Sequence, residues 1–374
     1  MFDIESIYEA KSVADAVRAL DESPDAELIS GGTDVLIRLR AGKGAGRPLV
    51  SIHGLSEIKG VELMENGDIR IGAGTVFSHI TNSPVIQKYI PMLGGAVDTV
   101  GGPQIRSMGT IGGNICNGAT SADSAPTMAA LEAVIVLEGP EGERTVPISE
   151  FYTGPGKTVR QHAEVCKYFV IRREAFEGWH GRYIKYGKRK AMEIATLGCA
   201  VRVKLSADKE VIEDVRLAYG VAAPTPVRCY KAEAVLRGRR ADDQDAVEEF
   251  VRTALTEVNP RSSWRASKEF RLQLIEELAR RALADAVRLA GGRPGCPEEW
   301  HPEEDHLEEG CPGEDRLEKR RPEEDRPIGS YPEEDRPKES YLEEGRPEGR
   351  QSEEEHLKGC QSEGECREGG GRDA

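Results

Sequence analysis

The sequence predicts an α+β protein of two domains followed by an acidic repeat, and three observations carry that prediction. Helical and strand periodicities are mixed through residues 1–176, whereas residues 177–292 run through strands and then helices. The 292 residues before the repeat are about two domains' length and can bury a full core. After Gly291-Gly292 the composition changes abruptly: residues 293–374 hold 27 acidic and 13 basic residues, against 39 and 38 in the rest.

The elements follow in order. Ser12 caps a first helix, with Asp15 at the capping-box position and Val13, Ala16, Val17 and Leu20 at helical spacing. Asp21-Glu22-Ser23-Pro24-Asp25 ends it. A short strand over 27–29 runs into Ser30-Gly31-Gly32-Thr33-Asp34, and Val35-Leu36-Ile37 opens a helix. Strands are expected over 49–52, 61–64 and 68–71, with Asn66-Gly67 as the turn between the last two. A helical stretch over 84–99 leads to a loop of small residues over 101–126. Residues 133–137 and 144–148 form a hairpin around Gly139-Pro140-Glu141-Gly142, and 165–172 is a further strand. Longer strands over 182–186, 197–205 and 211–221 precede helices over 242–258 and 267–289. The last helix is amphipathic, with Leu272, Ile275, Ala279, Ala282, Leu283 and Ala286 on one side. The domain boundary falls near Phe176-Glu177-Gly178.

Several function classes drop out. A near-neutral body lacks the basic excess of a nucleic-acid binder. Met1-Phe2-Asp3-Ile4-Glu5 has neither the basic nor the apolar region of a signal peptide. The run Ala133-Val134-Ile135-Val136-Leu137 is strand-sized, far short of the roughly 20 residues of a spanning helix. Cys116, Cys166, Cys199 and Cys229 are separated by 50, 33 and 30 residues, with no C-x-x-C pair to suggest zinc or an iron–sulfur cluster. A cytoplasmic protein is expected. In the tail a unit recurs every ten residues, as in Pro322-Glu323-Glu324-Asp325-Arg326 and Pro332-Glu333-Glu334-Asp335-Arg336. With almost no aliphatic residues it cannot offset its chain entropy, so disorder is expected. It reads either as an acidic tether for a partner or metal or, the favoured reading, as a translated repeat without a selected role.

Two glycine-bearing loops could carry chemistry. Ser30-Gly31-Gly32-Thr33-Asp34 lies between strand and helix, where glycines let backbone N–H groups approach an anion and a helix N-terminus favours a phosphate. The bland alternative is an ordinary strand–helix turn. Gly109-Thr110-Ile111-Gly112-Gly113-Asn114-Ile115-Cys116-Asn117-Gly118-Ala119-Thr120-Ser121-Ala122-Asp123 is nearly all small or hydrogen-bonding, suited to an extended polar ligand with Asp123 accepting from its hydroxyls. Together the loops imply a dinucleotide. Other look-alikes are discarded. No G-x-G-x-x-G lies between a strand and a helix, and Gly154-Pro155-Gly156-Lys157-Thr158 would need Gly rather than Phe151 to be a P-loop. Gly42-Lys43-Gly44-Ala45-Gly46 reads as a flexible loop, and His53 and His79 as surface or core residues.

At this point the chain resembles a known family. Leu28-Ile29-Ser30-Gly31-Gly32-Thr33-Asp34-Val35 and Thr110-Ile111-Gly112-Gly113-Asn114 look like the two flavin adenine dinucleotide (FAD) signatures of the molybdenum hydroxylase flavoproteins. Gly102-Pro103-Gln104-Ile105-Arg106 and Gly220-Val221-Ala222-Ala223-Pro224-Thr225-Pro226 agree, and the similarity spans residues 1–292. The resemblance implies a PCMH-type FAD-binding domain of two α/β subdomains over 1–176. It implies a smaller α+β domain like the C-terminal domain of carbon monoxide dehydrogenase flavoproteins over 177–292. By position, Leu28, Ile29, Ser30, Gly31, Gly32, Thr33, Asp34 and Val35 would wrap the pyrophosphate, and Thr110, Ile111, Gly112, Gly113 and Asn114 would complete the cradle. Asp123 would hold a hydroxyl-bearing part of FAD, and Val100 and Gly101 would border the flavin. Cys166 and Lys185 would lie near the adenine and isoalloxazine ends, in an order left open. Val100 departs from the aromatic residue of animal relatives, and Cys166 from the usual leucine. An ammonium at Lys185 would stabilise negative charge on a reduced flavin; otherwise Lys185 is a solvated member of the basic run Lys185, Lys188, Arg189, Lys190.

The activity implied is that of the FAD subunit of a xanthine dehydrogenase. It would pass electrons from two-iron two-sulfur clusters, with purine oxidised at a molybdenum subunit, through FAD to NAD. The chain lacks motifs for the molybdenum and iron–sulfur centres, so partner subunits would bring them, and NAD would dock over the exposed flavin face. The alternatives are the same subunit in a carbon monoxide, nicotinate or aldehyde dehydrogenase or, in a different class, a flavin-free scaffold acting through its acidic tail.

Overall fold

A computed structural model describes residues 3–189 and 191–295, so the acidic repeat and the disorder expected for it lie outside the described residues. The chain opens on a strand that periodicity did not signal, β1 (Ile4–Glu9), because no alternate set of its residues is buried. Helix α1 (Val13–Glu22) follows as expected: the Ser12 hydroxyl accepts from the Asp15 N–H, and Val13, Ala16, Val17 and Leu20 are buried. Strand β2 (Glu27–Ile29), helix α2 (Val35–Arg40) and strand β3 (Arg47–Ser51) complete a parallel sheet of order β1-β3-β2. Its core gathers Val13, Val17, Leu20, Val50 and Ile58.

Strands β4 (Val61–Leu63) and β5 (Ile69–Gly72) begin a second sheet, and three short helices follow: α3 (Phe77–Thr81), α4 (Pro84–Tyr89) and α5 (Pro91–Asp98). The single helix expected over 84–99 is thus two, broken at Ile90-Pro91, because Pro91 has no N–H to continue the ladder and starts a helix instead. The expected loop over 101–126 also needs correction. It holds α6 (Pro103–Arg106), α7 (Ile111–Cys116) and the start of α8 (Ser124–Ala130). Glycines hide α7 from a propensity reading, yet Gly112 is where that helix meets Ala73. Strands β6 (Val134–Gly139) and β7 (Gly142–Pro147) form the expected hairpin. After a second small hairpin, β8 (Tyr152–Gly154) and β9 (Lys157–Thr158), β10 (Val165–Ile171) enters the sheet centre, giving the order β4-β5-β10-β6-β7.

The rest of the chain is an antiparallel sheet followed by helices. Strands β11 (Trp179–Tyr186), β12 (Leu197–Leu205), β13 (Ile212–Gly220) and β14 (Val227–Arg228) pair in sequence order, and α9 (Tyr230–Leu236), α10 (Gln244–Leu255) and α11 (Lys268–Leu289) follow. Alternation along β12 explains how both faces are used. Leu197, Cys199, Val201 and Val203 pack into a core with Phe250, Ile275 and Leu283 from the helices. Ala200, with Ala218 and Tyr183, instead meets Met92, Ala96 and Ala130 of α5 and α8. Small residues on this face let those helices approach closely; a Cβ at Gly181 would lie 2.9 Å from the Met92 sulfur. This contact brings β11 against the second glycine loop.

Candidate functional site

The first loop leaves β2 and turns through Gly32, whose φ of +73° is a conformation that side chains resist. Gly31 is held more tightly still, since a Cβ there would overlap the Met108 carbonyl. The two loops, some 75 residues apart, are therefore in backbone contact. Among the described residues, the N–H groups of Gly31, Gly32, Thr33 and Asp34 have no acceptor. Four donors are left free in one turn.

In the second loop the donors of residues 111–114 are already committed. Ile111 donates to the Thr75 carbonyl at 3.1 Å, Gly112 to Ala73 at 2.8 Å and Asn114 to Thr110 at 3.0 Å. The Gly113 N–H donates to the Thr110 hydroxyl, the N-cap of α7, at 3.1 Å. The Ser124 hydroxyl donates to Asn114 Oδ1 at 2.6 Å, fixing that amide. Gly101, at φ +53°, stands in the turn before α6, with Arg106 donating to the Val100 and Gly101 carbonyls.

A cavity of about 1010 Å³ runs between the loops, at the upper end of the size of small-molecule sites. Its walls include Leu28, Ser30, Gly31, Gly32, Thr33, Asp34 and Val35 from the first loop. They also include Val100, Gly101, Thr110, Gly112, Gly113, Asn114, Asp123 and Cys166. Three candidates stand off the wall. Ile111 is fully buried in the core, Ile29 ends β2, and Lys185 lies behind Asp123.

The reading of Lys185 as solvated is not what the structure has. Its side chain is 11% exposed, and its ammonium donates to Asp123 Oδ2 and to the Thr99 carbonyl, each at 2.9 Å. Tyr183, two residues earlier on the same strand, donates to Asp123 Oδ1 at 2.8 Å. Burial pushes the Asp123 carboxyl above its usual range, opposed by the Lys185 charge and by both hydrogen bonds. A carboxylate has about four acceptor positions, so Asp123 retains capacity toward the cavity.

Sequence reasoning passed over other wall residues. The P-loop look-alike is the β8–β9 hairpin, with no helix after it, yet Thr153, Gly156, Lys157 and Thr158 line the cavity. Its paired glycines were the available signal: Gly156 donates to the Gly118 carbonyl, and a Cβ at Gly118 would lie 2.9 Å from Gly156. Arg160, Met192 and Ile194 line it too, and nothing in their spacing marked them.

Two family models account for most of the body. The FAD binding domain in molybdopterin dehydrogenase matches residues 2–171, and the CO dehydrogenase flavoprotein C-terminal domain matches 182–286. The xanthine dehydrogenase FAD-binding subunit of Escherichia coli O157:H7 is 43% identical over 293 residues, 78% of this chain and 99% of that protein. This chain belongs to the FAD-binding flavoproteins of the molybdenum hydroxylases. The carbon monoxide dehydrogenase medium chain of Hydrogenophaga pseudoflava is 32% identical over 274 residues, covering 73% of this chain and 93% of that one. A solved carbon monoxide dehydrogenase from the same organism superposes with a TM-score of 0.73 at 30% identity, over 78% of this chain and 99% of its own. The flavoprotein fold outlined above is therefore the family's.

The cavity fits the family's coenzyme on its own chemistry. It is extended, it has free backbone donors at a glycine turn for a pyrophosphate, and Gly31 and Gly112 let its walls close on the Met108 backbone and on Ala73. Among the described residues there is no group of metal-ligating side chains and no helix long and apolar enough to cross a membrane.

Proposed function

We propose that this chain is the electron-transfer subunit of a xanthine dehydrogenase, taking electrons from a partner's two-iron two-sulfur clusters and delivering them through FAD to NAD. The observation that carries this reading is the 43% identity to a xanthine dehydrogenase FAD-binding subunit over nearly that protein's whole length, against 32% for a carbon monoxide dehydrogenase chain. A molybdenum-cofactor subunit would oxidise the purine, and the complex would be cytoplasmic. In this reading residues 1–176 form the FAD domain and residues 177–292 a second domain whose first strand braces it.

Bound FAD supplies the hydride and single-electron chemistry, so the chain needs no nucleophile or base of its own. Its residues bind and orient. The first loop would offer its four free N–H groups to the pyrophosphate, with Leu28 and Val35 flanking. The second loop would hold the other wall through Thr110, Gly112, Gly113 and Asn114, with Ile111 anchoring it in the core. Val100 and Gly101 would border the ring system, and Cys166 would contribute to the wall. Asp123 would accept from a coenzyme hydroxyl while Lys185, acting through it, places a buried positive charge close to the site.

Purified chain reconstituted with FAD and mixed with NADH tests the assignment. The expected result is a yellow protein whose flavin absorbance bleaches on mixing. No bleaching by NADH in the assembled complex would defeat the NAD assignment. A complex that oxidises carbon monoxide and not xanthine would shift the substrate to the runner-up.

A further inference from the structure

Two thiols stand in the cavity wall, and neither takes part in a chemical step of the mechanism. Cys116 ends α7, and Cys166 lies on β10 beside an irregularity in its pairing with β6; the two elements pack together, both cysteines belong to one core, and the two thiols perturb each other. Both line the cavity, with Cys116 half-buried and Cys166 5% exposed. Arg160, another wall residue, brings its charge close to both, held by the Gln161, His162 and Glu164 carbonyls. Tyr152 packs on the same core as both cysteines, and its buried hydroxyl has no hydrogen-bond partner among the described residues.

We propose that Cys116 and Cys166 form an oxidisable dithiol, which a hydroperoxide converts to a disulfide when no coenzyme covers it and which bound FAD shields. The shielding rests on FAD occupying the cavity; the dithiol does not. With hydrogen peroxide, the Cys116 sulfur attacks one oxygen and the O–O bond breaks, giving a sulfenic acid and one water. The Cys166 sulfur then attacks the Cys116 sulfur, the S–O bond breaks, the S–S bond forms and a second water leaves. The two thiol protons and two electrons end in the two waters. The order of attack follows from exposure and environment: Cys116 is the more exposed thiol, and interaction with Cys166 and then the Arg160 charge pull it down, whereas interaction with Cys116 and burial push Cys166 up. Cys199 and Cys229, which line no part of the cavity, are pushed up by burial and serve as unreactive internal references.

The test uses the full chain, stripped of coenzyme or reloaded with FAD, treated with hydrogen peroxide, alkylated and digested with trypsin without reduction. Cleavage after Arg106, Arg144, Arg160 and Lys167 places the two cysteines in peptides 107–144 and 161–167. The expected product of the stripped chain is these two peptides joined, with a yield at least fivefold lower when FAD is bound. Cys166→Ser should instead leave Cys116 as a sulfenic acid that dimedone captures. Free, alkylated Cys116 and Cys166 in the peroxide-treated stripped chain would overturn the dithiol. Equal yields of joined peptide with and without a demonstrably bound flavin would overturn the shielding. A chain that takes up no FAD yet gives the joined peptide would defeat the assignment as an FAD subunit while upholding the dithiol.

Discussion

The two glycine loops look alike in sequence and do opposite work. In Ser30-Gly31-Gly32-Thr33-Asp34 the backbone donors of residues 31–34 are free, while in Thr110-Ile111-Gly112-Gly113-Asn114 the donors of residues 111–114 are all spent inside the protein. The first is a cradle for an anion and the second a buttress. The buttress's glycine at 112 makes room for Ala73, so that α7 can lie flat on the chain leaving β5. The cradle's glycine at 31 makes room for the backbone of residue 108, joining the two loops. A glycine signature is therefore ambiguous until each N–H has been accounted for.

The sharpest way to break this distinction is Gly31→Ala. Its Cβ would overlap the Met108 carbonyl, and backbone on both sides leaves no flexible side chain to yield. Separating the loops should cost more than about 3 kcal/mol, beyond ordinary overpacking, and should abolish FAD binding. Flavin content and the denaturant midpoint check this together; a normal flavin content would mean that the loops need not touch. Next comes Gly112→Ala, whose Cβ would lie 2.6 Å from both the Cβ and the carbonyl oxygen of Ala73. A loss of about 1–3 kcal/mol is expected, read as a lower midpoint. Affinity for FAD should fall less than stability does, because the buttress holds the site indirectly.

Much of this was legible before the structure. Capping and periodicity gave α1 and α11, the Asn66-Gly67 turn gave the β4–β5 hairpin, and paired glycine runs pointed to one long ligand. Other parts carry no local mark. β1 is exposed on nearly every residue, so no alternation betrays it. Helix α7 is built on two glycines and exists because tertiary contacts with Ala73 and Thr75 override propensity. The burial of Lys185 depends on Asp123 and Thr99, 62 and 86 residues away, and a basic run in the sequence looks the same whether or not such partners exist.

Gly32→Ala separates conformation from contact. At φ +73° the added Cβ would lie 3.1 Å from Leu36 and 3.4 Å from Ile29, protein side chains rather than the space a pyrophosphate would take. The cost should be about 1–2 kcal/mol of left-handed backbone strain, with FAD affinity reduced far less than by Gly31→Ala. A total loss of flavin from this variant, with the fold intact by circular dichroism, would show that the conformation of Gly32 itself forms the anion site.

The smallest effect belongs to Thr110→Ala. It removes the hydroxyl that accepts from Gly113 and caps α7, so about 1 kcal/mol should be lost. Thr110→Ser keeps the hydroxyl and should recover most of it. The informative readout is FAD affinity, because removing the cap also frees the Gly113 N–H on the cavity wall. If the buttress is only a support, affinity should hold or fall slightly in step with stability. A gain in affinity alongside the loss of stability would mean that the Gly113 donor can be recruited by the coenzyme, and that the Thr110 hydroxyl is what withholds it.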